Sequence, residues 1–194
     1  MPIEPIVLEG RAVRLEPLHA DHAAALWRAA TPDLFTYIPI APRDRSFTAF
    51  QAYVATLRSR PSQLQFAIVS CQSGEAVGTT SYMDLRLEHR GLEIGNTWIA
   101  RTHQGTLINP ENKYLLLRHA FETLGMLRVQ LKCDARNILS QRAIAKLGAQ
   151  REGVLRKHVV LPDGFVRDTV LFSITDDEWP QVKAGLEDRL GYPP

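Results

Sequence analysis

Three short stretches carry residue types that could do chemistry. The first is "RTHQGTLINPENK", residues 101–113, between an apparent strand and an apparent helix. A helix start presents unpaired N–H groups and roughly half a positive charge, so such a loop can receive phosphate. Gly105 would let the backbone approach an anion, Thr106 offers a hydroxyl, Asn109 can cap, and Pro110 fits a first turn without wasting a donor. The same residues suit an ordinary helix start with Leu107 and Ile108 as core anchors, and no P-loop or GxGxxG spacing decides between the two. The second stretch is "DARNILSQRAIAKLGA", where Asn137 and Ser140 stand at a strand end and a helix start. They could cap that helix or form the other wall of the same cleft. The third is Glu93 on the strand before the loop, with His103 inside it. Both are titratable, and they read as a structural strand acid and a solvated loop histidine.

The elements that must position these residues read as follows. "GRAVRLEPL" alternates as a half-buried strand, "HADHAAALWRAA" predicts a helix beginning near Asp21, and the proline-containing "TPDLFTYIPIAP" ends it. "SFTAFQAYVATLRS" spaces Phe50, Tyr53, Val54 and Leu57 as a second helix, so segment 31–45 between the two could shape a pocket. Two strands follow around Ser73, Gly74 and Glu75, then a third over 92–99. From Pro110 the pattern is helix, strand "LRVQLKCD", helix "SQRAIAKL", and a hairpin of strands 150–160 and 165–174. Both of these helices end at Leu-Gly, at Gly125 and Gly148, and "TDDE" from Thr175 starts a short terminal helix. The order predicts an α+β domain spanning 1–194. Its sheet is mixed and mostly antiparallel, with one parallel βαβ junction and flanking helices. Such a junction is a natural place for a ligand, by analogy with topological switch points.

Bulk properties narrow the function. A chain of 194 residues with 45% hydrophobic content can bury one sizeable core. No stretch approaches the roughly 18–20 apolar residues that span a bilayer. No secretory pattern opens the chain, so a cytoplasmic protein without a membrane partner is expected. Cys71 and Cys133 fall in apparent strands and are expected as buried thiols. Asp84, Glu88 and His89, or Asp21 and His22, lack a ligand spacing, so no metal is expected. The net charge of +2 argues against nucleic acid, yet residues 101–157 carry eleven Lys or Arg against four acids, a local balance of +7. That excess fits either solvated helix faces or a half that meets a polyanion.

The run "EIGNTWIA", "HQGTLINPENKYLLLRHAFETLGMLRV", "NILSQRAIAKLGA" and "EGVLR" resembles the GNAT superfamily of acyl-CoA-dependent N-acyltransferases, and within it the RimJ/RimL-type group. The opening "GRAVRLEPLHADHAAALW" and closing "DGFVRDTVLFSITDDEW" extend the resemblance over nearly the whole chain. It implies an acetyl-CoA-dependent N-acetyltransferase acting on a primary amine, of a small molecule or a peptide amino terminus, by direct attack in a ternary complex. The resemblance places Gln104, Gly105, Thr106, Leu107, Ile108 and Asn109 in the pyrophosphate loop, with Leu107 or Asn109 where the family has a second small residue. It also places Trp98 and Ile99 on the coenzyme-facing strand, Asn137 against the pantetheine arm, and Ser140 near the thiolate as its proton donor. Glu93 is the candidate base, with His103 as its alternative, and Ile144 replaces the tyrosine that many relatives carry. A homodimer is left open, and Asp33 and Asp44 are the acids that would favour a cationic acceptor. The rival readings are a coenzyme-A-binding regulatory module without turnover and a protein that binds nucleic acid through the basic segment.

Overall fold

The computed structural model describes residues 4–193. Eight strands form one mixed sheet: β1 Leu8–Glu9, β2 Val13–Pro17, β3 Leu64–Ser70, β4 Ala76–Arg86, β5 Gly91–Ile99, β6 Arg128–Asp134, β7 Gln150–Val160 and β8 Val166–Thr175. Their order is β1-β2-β3-β4-β5-β6-β8-β7, and every neighbouring pair is antiparallel except β5 and β6. The single parallel pair is the expected βαβ junction, its crossover made by α3, Ile108–Arg118. The closing hairpin inserts β8 beside β6 and leaves β7 at the edge, where Val154, Leu155 and Val160 are exposed.

Helices cover both faces. α1 (Ala23–Ala29) and α2 (Phe47–Arg58) pack Leu26, Phe50, Tyr53, Val54 and Leu57 onto Ala67, Val69 and Trp98. Each large apolar side chain moved from water into such a layer contributes about 1.5–3 kcal/mol before chain entropy is set against it. On the other face Leu115, Leu116 and Leu117 of α3 join Leu92, Ile94, Val129 and Leu131. The terminal helix α5, Trp179–Leu190, adds Trp179, Val182 and Leu186 to that layer.

The expected helix-ending glycines, Gly125 and Gly148, take positive φ of 63° and 94°. Ser46 caps α2 by accepting from the Ala49 N–H at 3.1 Å. Three expectations are corrected. The first helix opens as a 3-10 turn over Ala20–His22 and becomes α-helical only at Ala23. Cys71 is exposed, because β3 ends at Ser70 and the chain turns there; only Cys133 is buried. The helix from the 101–113 loop starts at Ile108, so Pro110 is its third residue and Asn109 does not cap it. Instead the Thr106 hydroxyl donates to the His103 carbonyl at 2.8 Å and accepts from the Ile108 N–H at 3.3 Å, turning the chain into the helix early.

The same helix also ends differently, passing at His119–Thr123 into a π-turn. The buried Tyr82 hydroxyl donates to the Leu116 carbonyl at 2.5 Å, occupying an acceptor of the helical ladder. The pairing slips by one residue beyond it, and the Leu124 N–H reaches the His119 carbonyl at 3.0 Å.

Candidate active site

The cleft follows from how β5 is paired on its two sides. Toward β6 it is bonded only from Gly91 to Ile94, opposite Arg128 to Leu131, after which the two strands diverge. Toward β4, Ser81 faces Gly95 but Thr79 faces Trp98, so β5 holds one extra residue there and Asn96 takes φ +48°. The bulge restores Thr97 and Ile99 to the α3 face while Trp98 faces α2. Divergence and bulge together open a cavity of about 490 Å³ between β5, β6, the start of α3 and α4, Ile138–Ala145.

Seven of the sequence-predicted residues line this cavity: Trp98, Ile99, Gln104, Gly105, Asn109, Asn137 and Ser140. Gln104 is fixed by its amide donating to the Ile99 carbonyl at 3.0 Å and its oxygen accepting from Arg101 at 3.1 Å. Gly105 holds φ +77° with open space where a side chain would stand. Asn137 caps α4, its Oδ1 accepting from the Ser140 N–H at 3.0 Å, which sets Ser140 in the first turn. Burial raises the pKa of the Cys133 thiol, and the neighbouring Ser140 side chain offsets part of that rise. Trp98 is fixed from the α2 side, its indole N–H donating to the Tyr53 hydroxyl at 3.1 Å.

Other predicted residues lie elsewhere. His103 and the side chains of Thr106, Leu107 and Ile108 line a separate groove with Arg11, Ser70 and Cys71. Ile108 is buried as an anchor, whereas Leu107 is 47% exposed. Glu93 is buried on the opposite face of β5 from Leu92 and Ile94, taking an ion pair from Lys132 at 2.8 Å and a hydrogen bond from Gln130 at 3.2 Å.

Sequence reasoning missed Lys113, Asn96 and Thr97, all on the cavity wall. The signal for Lys113 was available, because it follows Asn109 by four and therefore shares its helix face. The Asn96 Nδ2 and Asn109 Oδ1 atoms are buried there without partners. Groups of that kind are what a polar ligand arm would satisfy.

A second cavity, of about 680 Å³, lies between segment 27–45 and the β7–β8 turn, lined by Trp27, Phe35, Phe50, Arg43 and Asp163 among others. Segment 31–45 borders both cavities through Asp33 to Ile38. It is fastened by Arg167, donating to the Tyr37 carbonyl at 3.0 Å, and by an Arg101–Asp33 ion pair. Of the two acids singled out for a cationic acceptor, Asp33 holds Arg101, whereas Asp44 accepts from the Ser46 N–H at 2.7 Å, has no ion pair among the described residues and lines the second cavity. The basic segment is partly neutralised too, since Arg128, Lys132 and Arg136 pair with Glu152, Glu93 and Asp134. Among the described residues, no group of three His, Cys, Asp or Glu is placed to hold a metal ion. No described helix is long and apolar enough to cross a membrane.

The acetyltransferase (GNAT) domain model matches residues 12–150. This chain belongs to the GNAT acetyltransferase family. A T. thermophilus protein assigned as an acetyltransferase is 45% identical, with 98% of this chain and 100% of that one covered at a TM-score of 0.93. A GCN5-related N-acetyltransferase from Brucella melitensis is 30% identical over 98% of this chain and 87% of that one, TM-score 0.91. RimJ of Mycobacterium smegmatis, solved in complex with CoA-disulfide, is 25% identical over 97% and 96%, TM-score 0.81. The acyltransferase is thus a GNAT-fold protein, and its neighbours agree with the RimJ/RimL-type group.

Proposed function

We propose that this GNAT protein is an acetyl-CoA-dependent N-acetyltransferase of primary amines, its acyltransferase domain spanning residues 1–194. The observation that carries the reading is the cleft where β5 leaves β6, with unpartnered Asn96 and Asn109 atoms, the Gly105 loop and the Ser140 hydroxyl on one continuous wall. In the reaction the amine lone pair forms the C–N bond, the C–S bond breaks with its electrons going to sulfur, and one proton passes from nitrogen to sulfur.

This chain's residues divide the remaining tasks. The start of α3 with Gln104, Gly105 and Asn109 receives the coenzyme's phosphates. Asn137 and the β5 edge at Trp98 and Ile99 hold its arm, and backbone N–H groups freed by the strand divergence polarise the carbonyl. Ser140 donates the proton to sulfur. Glu93 serves as the anchor for Lys132 rather than as the base. The amine enters through the 680 Å³ cavity, a size that suits a small molecule or the first residues of a peptide. With Asp33 paired to Arg101, the acceptor is recognised by the Asp44 carboxylate and by shape and aromatic contact at Trp27, Phe35 and Phe50.

Thiol release from acetyl-CoA with a panel of small amines and peptides tests this. Amine-dependent release is the expected result, and release at the hydrolytic background for every acceptor would overturn it. Gly105→Val tests the loop separately. A β-branched residue at φ +77° costs about 1–3 kcal/mol of local strain and fills the approach that glycine leaves open. Acetyl-CoA affinity is expected to fall by about tenfold, since each 1.4 kcal/mol of lost interaction is a factor of ten. An unchanged dissociation constant would remove the loop from the site.

A further inference from the structure

Lys113 is 6% exposed, forms no ion pair among the described residues, and lines the coenzyme cleft. Its Nζ donates to the Thr97 Oγ1 at 2.7 Å. That hydroxyl is also bonded to the Thr80 Oγ1 at 2.8 Å and to the Gly95 carbonyl at 3.3 Å, so the amine sits on the bulge itself. A lysine needed only to tie α3 to the sheet would be better served by a neutral side chain, because an ammonium deprived of water and of a carboxylate is costly to keep.

We propose that Lys113 is a positioning residue for the sulfur end of the coenzyme: seated on Thr97, it takes up a proton when the anionic coenzyme fills the cleft, and supplies positive charge beside the thiol. The inference rests on the cleft being the acetyl-CoA site.

The other charged groups around the cleft are engaged: from the 31–45 segment and the 101–107 loop, Asp33 and Arg101 pair with each other. On the helix of Lys113, Glu111 accepts from the Arg11, Ala12 and Val13 amides and from the Tyr192 hydroxyl, while Tyr114 donates to Glu187. On β4, Tyr82 donates to the Leu116 carbonyl and stacks on His119, which burial keeps less basic than usual. On β5 and β6, Glu93 pairs with Lys132 and Asp134 with Arg136. On α4, Arg142 is exposed. Burial is the cause acting on Lys113, and it brings the amine down to about 7. The free protein therefore holds Lys113 largely neutral at pH 8 and protonated at pH 6.

Calorimetric titration with coenzyme A, in two buffers of different ionisation enthalpy, reads the proton directly. At pH 8 the wild type is expected to take up most of one proton on binding, and at pH 6 the uptake beyond that of Lys113→Met is expected to vanish. The wild-type advantage in affinity should shrink by up to about tenfold per pH unit above 7. The coenzyme's own phosphate titration is common to both proteins and cancels in the comparison. Nitrogen-15 observation of the Lys113 Nζ in the unmutated protein gives a second measurement, with the midpoint expected to rise by about two units when coenzyme A is added. Binding without excess uptake, or an unmoved midpoint, overturns the role of Lys113 and leaves the acetyl-CoA reading standing. No binding of coenzyme A to the wild type overturns both.

Discussion

Glu111→Ala is expected to lower the melting temperature by about 10 °C. Glu111 is 2% exposed and stands in the first turn of α3, yet its carboxylate points across to the entry of β2. There it accepts from the Arg11 N–H at 2.9 Å, the Ala12 N–H at 2.6 Å and the Val13 N–H at 2.7 Å, and from the Tyr192 hydroxyl at 2.6 Å. Removing it leaves backbone donors in a part-buried site with no acceptor, at about 1–3 kcal/mol for each donor that water does not reach. A loss on the order of 3–5 kcal/mol is a large share of the roughly 5–15 kcal/mol that holds a domain folded. At this chain length 1 kcal/mol moves the melting point by about 2–4 °C. Gly10 belongs to the same arrangement, since a Cβ there would lie 2.6 Å from the Glu111 carboxyl carbon. Glu111→Gln should recover only part of the loss, because its amide nitrogen meets N–H groups as a donor. Tyr192→Phe, which removes one hydroxyl contact, should cost about 1 kcal/mol. Thermal unfolding of the three variants checks the order, and an alanine variant melting within about 2 °C of wild type would show that the carboxylate is not the tie it resembles.

That tie shows what can be read from a sequence and what cannot. Elements whose cause lies within a few residues were legible. The Gly125 and Gly148 helix ends and the alternation in β2 are each set by neighbours in the chain. The parallel pairing of β5 with β6 was legible too, because strand, helix and strand in succession admit few other topologies. Features caused by distant residues were not. The π-turn depends on a tyrosine hydroxyl 34 residues before the carbonyl that it occupies. The start of α3 depends on Thr106, a residue equally suited to a loop. In the candidate site, Gly105, Asn137 and Ser140 could be named because residue type and position already suggested them, and Gln104 through the family resemblance, whereas Lys113 looked like one more solvated cation in a basic segment. Only the bulge at Asn96, which turns Thr97 toward α3, gives that lysine its place.

Ser140→Ala is expected to reduce kcat by on the order of 10²-fold while leaving the dissociation constant of acetyl-CoA within about threefold of wild type. Positioned proton transfer contributes about 10²–10⁴ in rate, and the lower end applies where water can replace the donor in part. The hydroxyl is half-buried at the first turn of α4, and its backbone N–H is held by Asn137 independently of the side chain. Alanine therefore keeps the cap and the helix, and it removes only the O–H. Ser140→Thr keeps a hydroxyl in the same turn and should retain much more turnover than alanine, which separates loss of the proton donor from loss of packing against Cys133. Asn137→Ala should behave differently from both: it removes the cap, costs about 1 kcal/mol of stability, and weakens coenzyme binding as well as turnover. Single-turnover thiol release with saturating amine, beside equilibrium binding of acetyl-CoA, distinguishes these patterns. If alanine at 140 leaves kcat unchanged, sulfur is protonated from elsewhere in the cleft. If it raises the dissociation constant and kcat stays intact, Ser140 belongs to the binding wall.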